Sequence, residues 1–501
     1  MKLKQLFSIV IAITLIATAT LTTQGIVDVL ADDEAEDYVI DERSLEEILE
    51  EQALIREEYF NKQPETNSLP NWPEGPLVQA RSAILMEVST GAVLYAKDIY
   101  ERRYPASITK LVTTLVALEN SEFTDDVEIT EESVNWLQWN YAHIGMQAGE
   151  IISMEDALHA NLLASANEVS YAIAENVGNM VDGGGYSTFI RMMNEKTSRI
   201  GAANSSWENP HGLHGDNHFT TAYDMALIIS YLYENPDFLR LMRSLRYTIE
   251  ETNIVEEERV LYQDHQMLRP EGCFHYPMAN SGKTGFTDQA GTTLATTADN
   301  GEFSLVAVVL FDHGWQAYES TIAMMDYGFE NFSKIRISED ETDEHIESFV
   351  EPDSYIMLPN NIDLGEVSRT ITILEENVAE VVYSYHGHRL GSAEVIVSEA
   401  YLAYLERLEH LDYLADQAYN EGVAEIREDG LTMLVVMPNE DYELSVRGNG
   451  FKSFIPRVLA ISLGVLVGVT IILIIIGKRQ AKEERKRGKK QHRRRRKKRS
   501  G

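Results

Sequence analysis

The stretch that decides the fold is YPASITKLVTTLVAL, residues Tyr104–Leu118. A proline ends a loop, and the apolar periodicity after it predicts a helix that begins near Ala106. Ser107 and Lys110 then lie three residues apart on one face of the helix, where the amine can contact the hydroxyl. A serine hydroxyl becomes a good nucleophile only when a base takes its proton, and a lysine can be that base only if its pKa is lowered. We therefore expect Lys110 to be enclosed by the protein.

Two further polar motifs follow along the chain. Ser165–Asn167, with the sequence SAN, interrupts two apolar segments of helical spacing, and Lys283–Gly285, with the sequence KTG, lies in an alternating, strand-like segment. A second Ser-x-Asn, at Ser133–Asn135, lies closer to Ser107 and lacks apolar helical segments on both sides, so we assign this motif to Ser165. The Ser-x-x-Lys and Lys-Thr-Gly sequences each occur once in the chain.

In this order, the three motifs resemble those of the serine penicillin-recognising enzymes. The flanking sequence narrows the resemblance, because residues 80–335 are similar to D-alanyl-D-alanine carboxypeptidases, the low-molecular-weight penicillin-binding proteins. The similar flanks include Asn209–Leu213, Thr221–Ala226 and Gly282–Thr287. The resemblance implies an α/β (α+β) catalytic domain of the β-lactamase and transpeptidase type, with an antiparallel sheet between helices.

The resemblance also implies acyl transfer on a peptidoglycan stem peptide. Ser107 would attack the carbonyl between two terminal D-alanines, and Lys110 would be the base that takes its proton. Ser165 would relay the proton to the leaving amine, and Asn167 would hold the substrate amide. Water would then hydrolyse the acyl-enzyme, and β-lactam antibiotics would acylate the same serine.

Four consecutive residues would form the substrate-binding edge of this site. By the same resemblance, Lys283 and Thr284 bind the free carboxylate of the terminal D-alanine. Their placement also makes physical sense, because a second ammonium near the base would lower the pKa of that base and attract an anionic substrate. Gly285 lets a substrate backbone lie against the strand. The backbone N–H groups of Ser107 and Phe286 would bind the oxyanion.

Two alternatives to carboxypeptidase action stay open, and the first follows from a departure from the family. Carboxypeptidases of this family often carry an arginine beyond the Lys-Thr-Gly motif, but this chain has no Lys or Arg between Lys283 and Lys334. Endopeptidase action on cross-linked peptides is therefore one alternative. A penicillin-binding receptor or scaffold with little turnover is the other, in which slow deacylation would leave Ser107 blocked.

Two rival chemistries have weaker support in the sequence. A class A β-lactamase needs a glutamate that activates the deacylating water, and Glu175 with Asn179 matches that pattern only formally. The spacing of His211, His214 and His218 would allow them to hold a metal ion, yet the resemblance accounts for this loop without a metal. We therefore predict no metal and no cofactor.

Composition divides the chain into successive segments. The amino-terminal part has a charged start, an apolar core and small residues, which are typical of a secretory signal. The 19 uncharged residues at 458–476 predict a membrane-spanning helix, and short alternating strands after Lys334 predict a β-rich domain. The predicted segments are a signal peptide at 1–31, an acidic leader and linker at 32–76, the catalytic domain at 77–335, a small β-rich domain with a helical insertion at 336–450, a transmembrane helix at 457–477 and a basic tail at 478–501.

Charge is distributed unevenly along the chain. The tail at 478–501 contains 15 of the 43 Lys and Arg but 2 of the 80 Asp and Glu, and the net charge of the whole chain is −37. The acidic body repels phosphate, which excludes nucleic-acid binding. Because Lys and Arg stay on the cytoplasmic side, we expect a single-pass cell-membrane protein with its catalytic domain outside and a cytoplasmic tail that can bind anionic lipid. The single cysteine, Cys273, excludes an internal disulfide, and we expect it to be buried.

Overall fold

The computed structural model describes residue 54, residues 57–181, 184–340 and 343–408, and three short strands at 426–428, 431–433 and 446–447. The chain divides into two compact units. The first holds the described residues up to Ile337 with Asp353–Thr370 and Val382–Ser392, and the second holds Ser338–Pro352, Ile371–Val381 and the described residues from Ala393 onward. The predicted signal peptide, transmembrane helix and basic tail lie outside the described residues. Within the described part of the chain, no helix combines the length and the apolar character that a membrane span requires.

Helices and strands are numbered in chain order. The strands are β1 Ser82–Glu87, β2 Val93–Lys97, β3 Asp126–Glu128, β4 Ile151–Ser153, β5 Arg246–Ile249, β6 Arg259–Tyr262, β7 Ala279–Thr287, β8 Gly291–Asp299, β9 Ser304–Asp312, β10 Phe332–Arg336, β11 Ile346–Phe349, β12 Tyr355–Pro359, β13 Ser368–Glu375, β14 Val378–Tyr385, β15 His388–Val397, β16 Ile426–Glu428, β17 Leu431–Met433 and β18 Val446–Arg447. The α-helices are α1 Lys110–Asn120, α2 Glu131–Val134, α3 Met154–Leu163, α4 Asn167–Met180, α5 Gly185–Arg199, α6 Ala222–Tyr233, α7 Pro236–Met242, α8 Gln316–Asn331 and α9 Ile337–Asp340. Short 3₁₀ helices lie at Glu65–Ser68, Ala106–Thr109, Gln266–Leu268 and Leu364–Glu366.

A five-stranded antiparallel sheet forms the centre of the first unit, in the order β2-β1-β9-β8-β7. The inner strands β1 and β9 are apolar and almost wholly buried, as expected for strands that are covered on both faces. β1 and β2 form an antiparallel hairpin. β7 lies at one edge of this sheet, and an edge strand can pair along its outer side with an extended peptide.

Helices cover both faces of this sheet. Ile84 and Met86 of β1 belong to a core that is shared with α1, α3, α4 and α6. Leu85 lies between them in the strand and points to the opposite face, where it meets α8. An added Cβ on Gly328 of α8 would lie 2.6 Å from Leu85 Cδ2 and 2.7 Å from Leu305 Cδ1, so glycine lets this helix approach the sheet closely. The predicted α/β fold with an antiparallel sheet is therefore confirmed.

Local capping fixes the helix that precedes the second motif. Ser153 caps α3 in a capping box, because its hydroxyl accepts the N–H of Asp156 and the Asp156 carboxylate accepts the N–H of Ser153. α3 ends at Leu163 and α4 begins at Asn167, so Ser165 lies in the short turn between two buried helices. This turn holds the motif against the core rather than on a mobile surface loop.

Short strands dominate the chain after α8. β10 pairs antiparallel with β12, and four further strands form a sheet in the order β11-β15-β14-β13. β12, β13, β14 and β15 agree with the short strands that the sequence predicts after Lys334. Residues 399–408 are helical, which agrees with the start of the predicted helical insertion. The boundary between the catalytic and the β-rich domain at 335/336 stays a prediction.

Cys273 is exposed, so the prediction that it is buried is wrong. It lies between the 3₁₀ helix Gln266–Leu268 and β7, in a connection that turns at Arg269–Gly272. Connecting segments run over the surface because a buried loop would leave backbone polar groups unpaired. A small apolar residue in such a loop is exposed whatever its own preference for the interior.

Candidate active site

The Ser-x-x-Lys motif forms one turn of 3₁₀ helix, Ala106–Thr109, that leads directly into α1. The helix predicted near Ala106 is therefore confirmed, with a tighter first turn. Lys110 Nζ lies 3.2 Å from Ser107 Oγ, within hydrogen-bonding distance. Ala106 has φ +51°, a left-handed conformation that is uncommon for a residue with a side chain and is found at functional sites. The backbone just before Ser107 is thus held in an unusual conformation.

Lys110 is fully buried and its amine has three polar neighbours. Besides Ser107, Nζ lies 2.7 Å from Asn167 Oδ1 and 2.6 Å from the backbone oxygen of His211. Burial lowers the pKa of Lys110 well below its usual value, and the Lys283 ammonium lowers it further, while Glu168 acts in the opposite direction. The expectation that Lys110 is enclosed by the protein is confirmed.

The structure brings Asn167 into this cluster and leaves the hydroxyl of Ser165 free. Asn167 is the first residue of α4, and its side-chain oxygen faces the Lys110 amine. Its N–H donates to the backbone oxygen of Ala142 at 2.9 Å, which fixes the start of the helix. Ser165 has φ +56° and is nearly buried. Among the described residues, Ser165 Oγ makes no hydrogen bond, so this hydroxyl can serve a ligand.

The Lys-Thr-Gly motif lies on β7, directly beside the 3₁₀ turn Ala106–Thr109 that carries Ser107, which we call the nucleophile turn. An added Cβ on Gly285 would lie 2.8 Å from Ser107 N and 2.4 Å from Thr293 Oγ1, so only glycine permits this approach. Thr293 of β8 also donates to the backbone oxygen of Pro105 at 2.8 Å, which ties the sheet to the turn. The sheet edge and the first turn of α1 therefore form one surface.

Lys283 is buried on β7, and Phe286 is exposed. Lys283 Nζ donates to the backbone oxygen of Thr284 at 3.2 Å. Burial lowers the pKa of Lys283 to about 8, and the carboxylate of Asp264 partly opposes this change. The Phe286 side chain is 64% exposed and lies at the open edge of the sheet. Lys283 therefore keeps its positive charge near neutral pH more readily than Lys110 does.

The 209–218 loop helps to hold the nucleophile turn, and no pattern in the sequence predicted this contact. The backbone oxygen of His211 accepts from Lys110, and an added Cβ on Gly212 would lie 1.9 Å from the backbone oxygen of Ala106. His218 Nδ1 accepts the N–H of Glu208, so its Nε2 carries the proton and donates to Thr109 Oγ1 at 2.9 Å. The resemblance already singled out Asn209–Leu213, which was the available signal.

The residues of the two rival chemistries have other neighbours. Glu175 Oε2 accepts from Thr130 Oγ1 at 2.6 Å, so this glutamate is tied to the loop after β3. The His211 ring stacks on Trp136 at 4.8 Å, and burial lowers its pKa well below the usual value. Burial likewise lowers the pKa of His218 to about 3. Within the described part of the chain, no group of three His, Cys, Asp or Glu is arranged to hold a metal ion.

Comparison with known proteins agrees with this site. Residues 70–314 match the model of a family described as D-alanyl-D-alanine carboxypeptidase. The chain is 28% identical over 260 residues to the D-alanyl-D-alanine carboxypeptidase DacF of Bacillus subtilis strain 168, a match that covers 51% of this chain and 63% of that protein. It is 26% identical over 280 residues to DacD of Escherichia coli K12, covering 54% and 68%. The chain thus spans about two thirds of the length of these curated relatives.

A solved structure shares the fold. The crystal structure of penicillin binding protein 6B from Escherichia coli superposes with a TM-score of 0.51 at 22% identity, covering 66% of this chain and 98% of that one. At this identity the likeness shows a shared fold. The match of residues 70–314 to the D-alanyl-D-alanine carboxypeptidase family, together with the curated relatives, confirms the resemblance seen in the sequence.

Proposed function

We propose that this protein is a serine D-Ala-D-Ala carboxypeptidase that removes the terminal D-alanine from peptidoglycan pentapeptides. Ser107 Oγ attacks the carbonyl carbon between the two D-alanines, and its proton passes to Lys110 Nζ. The tetrahedral intermediate collapses to an ester on Ser107, and the terminal D-alanine leaves after its amine has taken a proton. Water then hydrolyses the ester, which releases the tetrapeptide and restores the serine.

The observation that carries this proposal is the set of three partners around Lys110 Nζ. A neutral amine has two N–H groups and one lone pair. The two N–H groups match Asn167 Oδ1 and the His211 oxygen, which leaves the lone pair for the Ser107 proton. Burial and the Lys283 charge favour this neutral form. Ser107 and Lys110 are therefore arranged so that the Ser107 proton can pass to the Lys110 amine.

Substrate would bind along the edge strand β7. Lys283 and Thr284 would hold the terminal carboxylate, because Lys283 is charged below a pKa of about 8. The N–H groups of Ser107 and Phe286 would bind the oxyanion, since Gly285 brings β7 against Ser107 N. The free hydroxyl of Ser165 would pass the proton to the leaving amine. A β-lactam presents its carbonyl and carboxylate to the same groups and would acylate Ser107.

The test is the Ser107→Ala variant, assayed for D-alanine release from a pentapeptide and for labelling by a fluorescent penicillin. Both activities should disappear, while the melting temperature stays close to that of the native protein. Ser187→Ala is the matched control, because Ser187 is an exposed serine on α5 whose hydroxyl donates to the Gly184 backbone oxygen. D-alanine release that survives in Ser107→Ala would refute the proposal.

The same assay separates the two alternatives. Faster cleavage of a cross-linked peptide dimer than of the pentapeptide would identify an endopeptidase, which the lack of Lys and Arg between Lys283 and Lys334 leaves open. Penicillin labelling of Ser107 without release from either peptide would identify a receptor or scaffold.

We also propose that the protein is exported and held in the cell membrane by residues 457–477, with the catalytic unit outside. Support comes from the signal-like residues 1–31, the uncharged run at 458–476 and the basic residues at 478–501, which would remain in the cytoplasm and can bind anionic lipid. Protease added to intact cells should remove the catalytic unit and spare a tag fused after Gly501. Loss of the tag instead would contradict this orientation.

A further inference from the structure

A second cavity opens beside the candidate active site. It has a volume of about 520 Å³ and is lined by three arginines, Arg81, Arg102 and Arg103, together with Tyr104 and Gln289. Tyr104 precedes Ser107 by three residues, and Gln289 lies in the turn that follows β7. The cavity therefore shares chain segments with both halves of the candidate active site.

Two of the three guanidinium groups lie over aromatic rings. The Arg81 Cζ lies 3.8 Å from the ring centre of Phe311, and the Arg102 Cζ lies 4.4 Å from that of Phe219. Stacking of this kind orients the planar group and leaves its N–H edges available for an anion. Arg103 Nε donates to Ser82 Oγ at 3.1 Å, and this bond leaves the two terminal nitrogens of the guanidinium available for an anion.

These arginines lack carboxylate partners in the part of the chain that the structure describes. That is unusual in a chain with 80 acidic and 43 basic residues. Burial lowers the pKa of Arg81, and the neighbouring charge of Arg103 acts in the same direction. Among the described residues that line this cavity, the acidic side chain is Asp216, which is 96% exposed and lies 3.8 Å from His214. Arg103 also lines a neighbouring cavity with Glu58, Asp98 and Glu101. A cluster of like charges without counter-ions is suited to bind an anion.

The backbone beneath the cavity is also strained. Phe311 has φ +58°, which is rare for a bulky residue. Phe311 is the penultimate residue of β9, and its ring lies under Arg81. Strained residues persist only where the surrounding structure holds them, and they concentrate at binding sites.

The direction of the substrate leads to this cavity. If Lys283 and Thr284 hold the terminal carboxylate and Phe286 N–H meets the scissile carbonyl, the peptide runs along β7 from Lys283 towards Gln289. Its remaining residues then lie beyond Phe286. Gln289 lies three residues beyond Phe286, in the turn that follows β7, so the upstream residues of a peptide that passes Phe286 come to a segment that lines the cavity.

We propose that the arginine cavity binds a side carboxylate of the stem peptide, upstream of the two D-alanines. This inference rests on the proposed function. The anion is the free carboxylate of the glutamate residue that precedes the diamino acid. It would form charge-assisted hydrogen bonds with Arg81 and Arg102, which select stem peptides whose glutamate is not amidated.

The test compares two N-acetylated pentapeptides, L-Ala-γ-D-Glu-L-Lys-D-Ala-D-Ala with its glutamate carboxylate free or amidated. The measured quantity is the ratio of kcat/KM for D-alanine release from the two peptides, which does not depend on the folded fraction of a preparation. The native protein should prefer the free carboxylate by about tenfold, and Arg81→Gln and Arg102→Gln should bring the ratio close to one. Arg243→Gln, an exposed arginine after α7, is the matched control and should keep the native ratio.

The outcomes separate this inference from the proposed function. Release of D-alanine from neither peptide would overturn the proposed function itself. Equal release from both peptides by the native protein, or a preference that survives in both arginine variants, would overturn the arginine site and leave the carboxypeptidase proposal in place.

Discussion

Lys110 and Lys283 are two buried lysines of one site, but they lie on different supports and have different neighbours. Lys110, at the start of α1, faces the uncharged oxygens of Asn167 and His211, whereas Lys283, on β7, has the carboxylate of Asp264 among its electrostatic neighbours. Burial lowers both pKa values. The charge of Lys283 lowers the pKa of Lys110 further, while Asp264 holds that of Lys283 at about 8. One residue type can thus provide a neutral base in one region and a cation in the other.

Lys97 is a third buried lysine, and it differs from Lys110 in the partners of its amine. It is fully buried on β2, and burial lowers its pKa to about 8, with Asp312 opposing the change. Its amine donates to the backbone oxygens of Val78, at 2.8 Å, and Tyr59. Neither partner has a proton to give. The feature that distinguishes Lys110 is therefore the serine hydroxyl 3.2 Å away.

The largest expected effect comes from removing the base while keeping a cation. In Lys110→Arg the guanidinium cannot lose its proton near neutral pH, so acylation by penicillin and D-alanine release should fall by roughly 1,000-fold. Stopped-flow labelling with a fluorescent penicillin measures the acylation rate. Lys196→Arg is the matched control, because Lys196 is a partly buried lysine of α5 that is paired with Glu119. A Lys110→Arg enzyme with a tenth of native activity would rule out a neutral base here.

Removing the second lysine should have a smaller and more selective effect. In Lys283→Gln the terminal carboxylate loses a charge-assisted partner, so kcat/KM for the pentapeptide should fall roughly 100-fold. A pentapeptide with an amidated terminus should lose much less. Lys62→Gln, a change to a half-exposed lysine paired with Asp98, is the control. Equal losses for both peptides would show that Lys283 has no special role for the carboxylate.

The pH dependence of kcat/KM tests both lysines in one experiment. The rising limb should follow the deprotonation of Lys110, and the falling limb, near pH 8, the loss of the Lys283 charge. Above that pH the value should drop by about tenfold per pH unit. In Lys283→Gln the falling limb should vanish, and the rising limb should move to higher pH, because a like charge near Lys110 has been removed. Unchanged limbs in that variant would show that the charge of Lys283 does not affect the pKa of Lys110 and is not responsible for the falling limb.

Sequence reasoning found the parts of the site that depend on local spacing. Ser107 and Lys110 could be placed together because three residues make about one helical turn. The contact between Lys110 and Asn167 could not be derived in this way, because it joins residues far apart in the chain. The His211 contact uses a backbone oxygen, and backbone atoms leave no signal in the residue type. The left-handed conformation of Ala106 could not be predicted either, because alanine has no preference for that conformation.

The smallest expected effect comes from the contact between β7, which carries Lys283, and the nucleophile turn, which leads to Lys110. In Gly285→Ala the new Cβ would lie 2.8 Å from Ser107 N and 2.4 Å from Thr293 Oγ1, so β7 must move away from the nucleophile turn. We expect a loss of about 1–3 kcal/mol in the free energy of unfolding and slower D-alanine release, because Phe286 N–H is displaced from the oxyanion. Chemical denaturation and the release assay measure the two effects. Gly365→Ala, with no atom within 4 Å of the added Cβ, is the control and should change neither. Native stability and activity in Gly285→Ala would show that the strand and the turn are less tightly coupled than their contact implies.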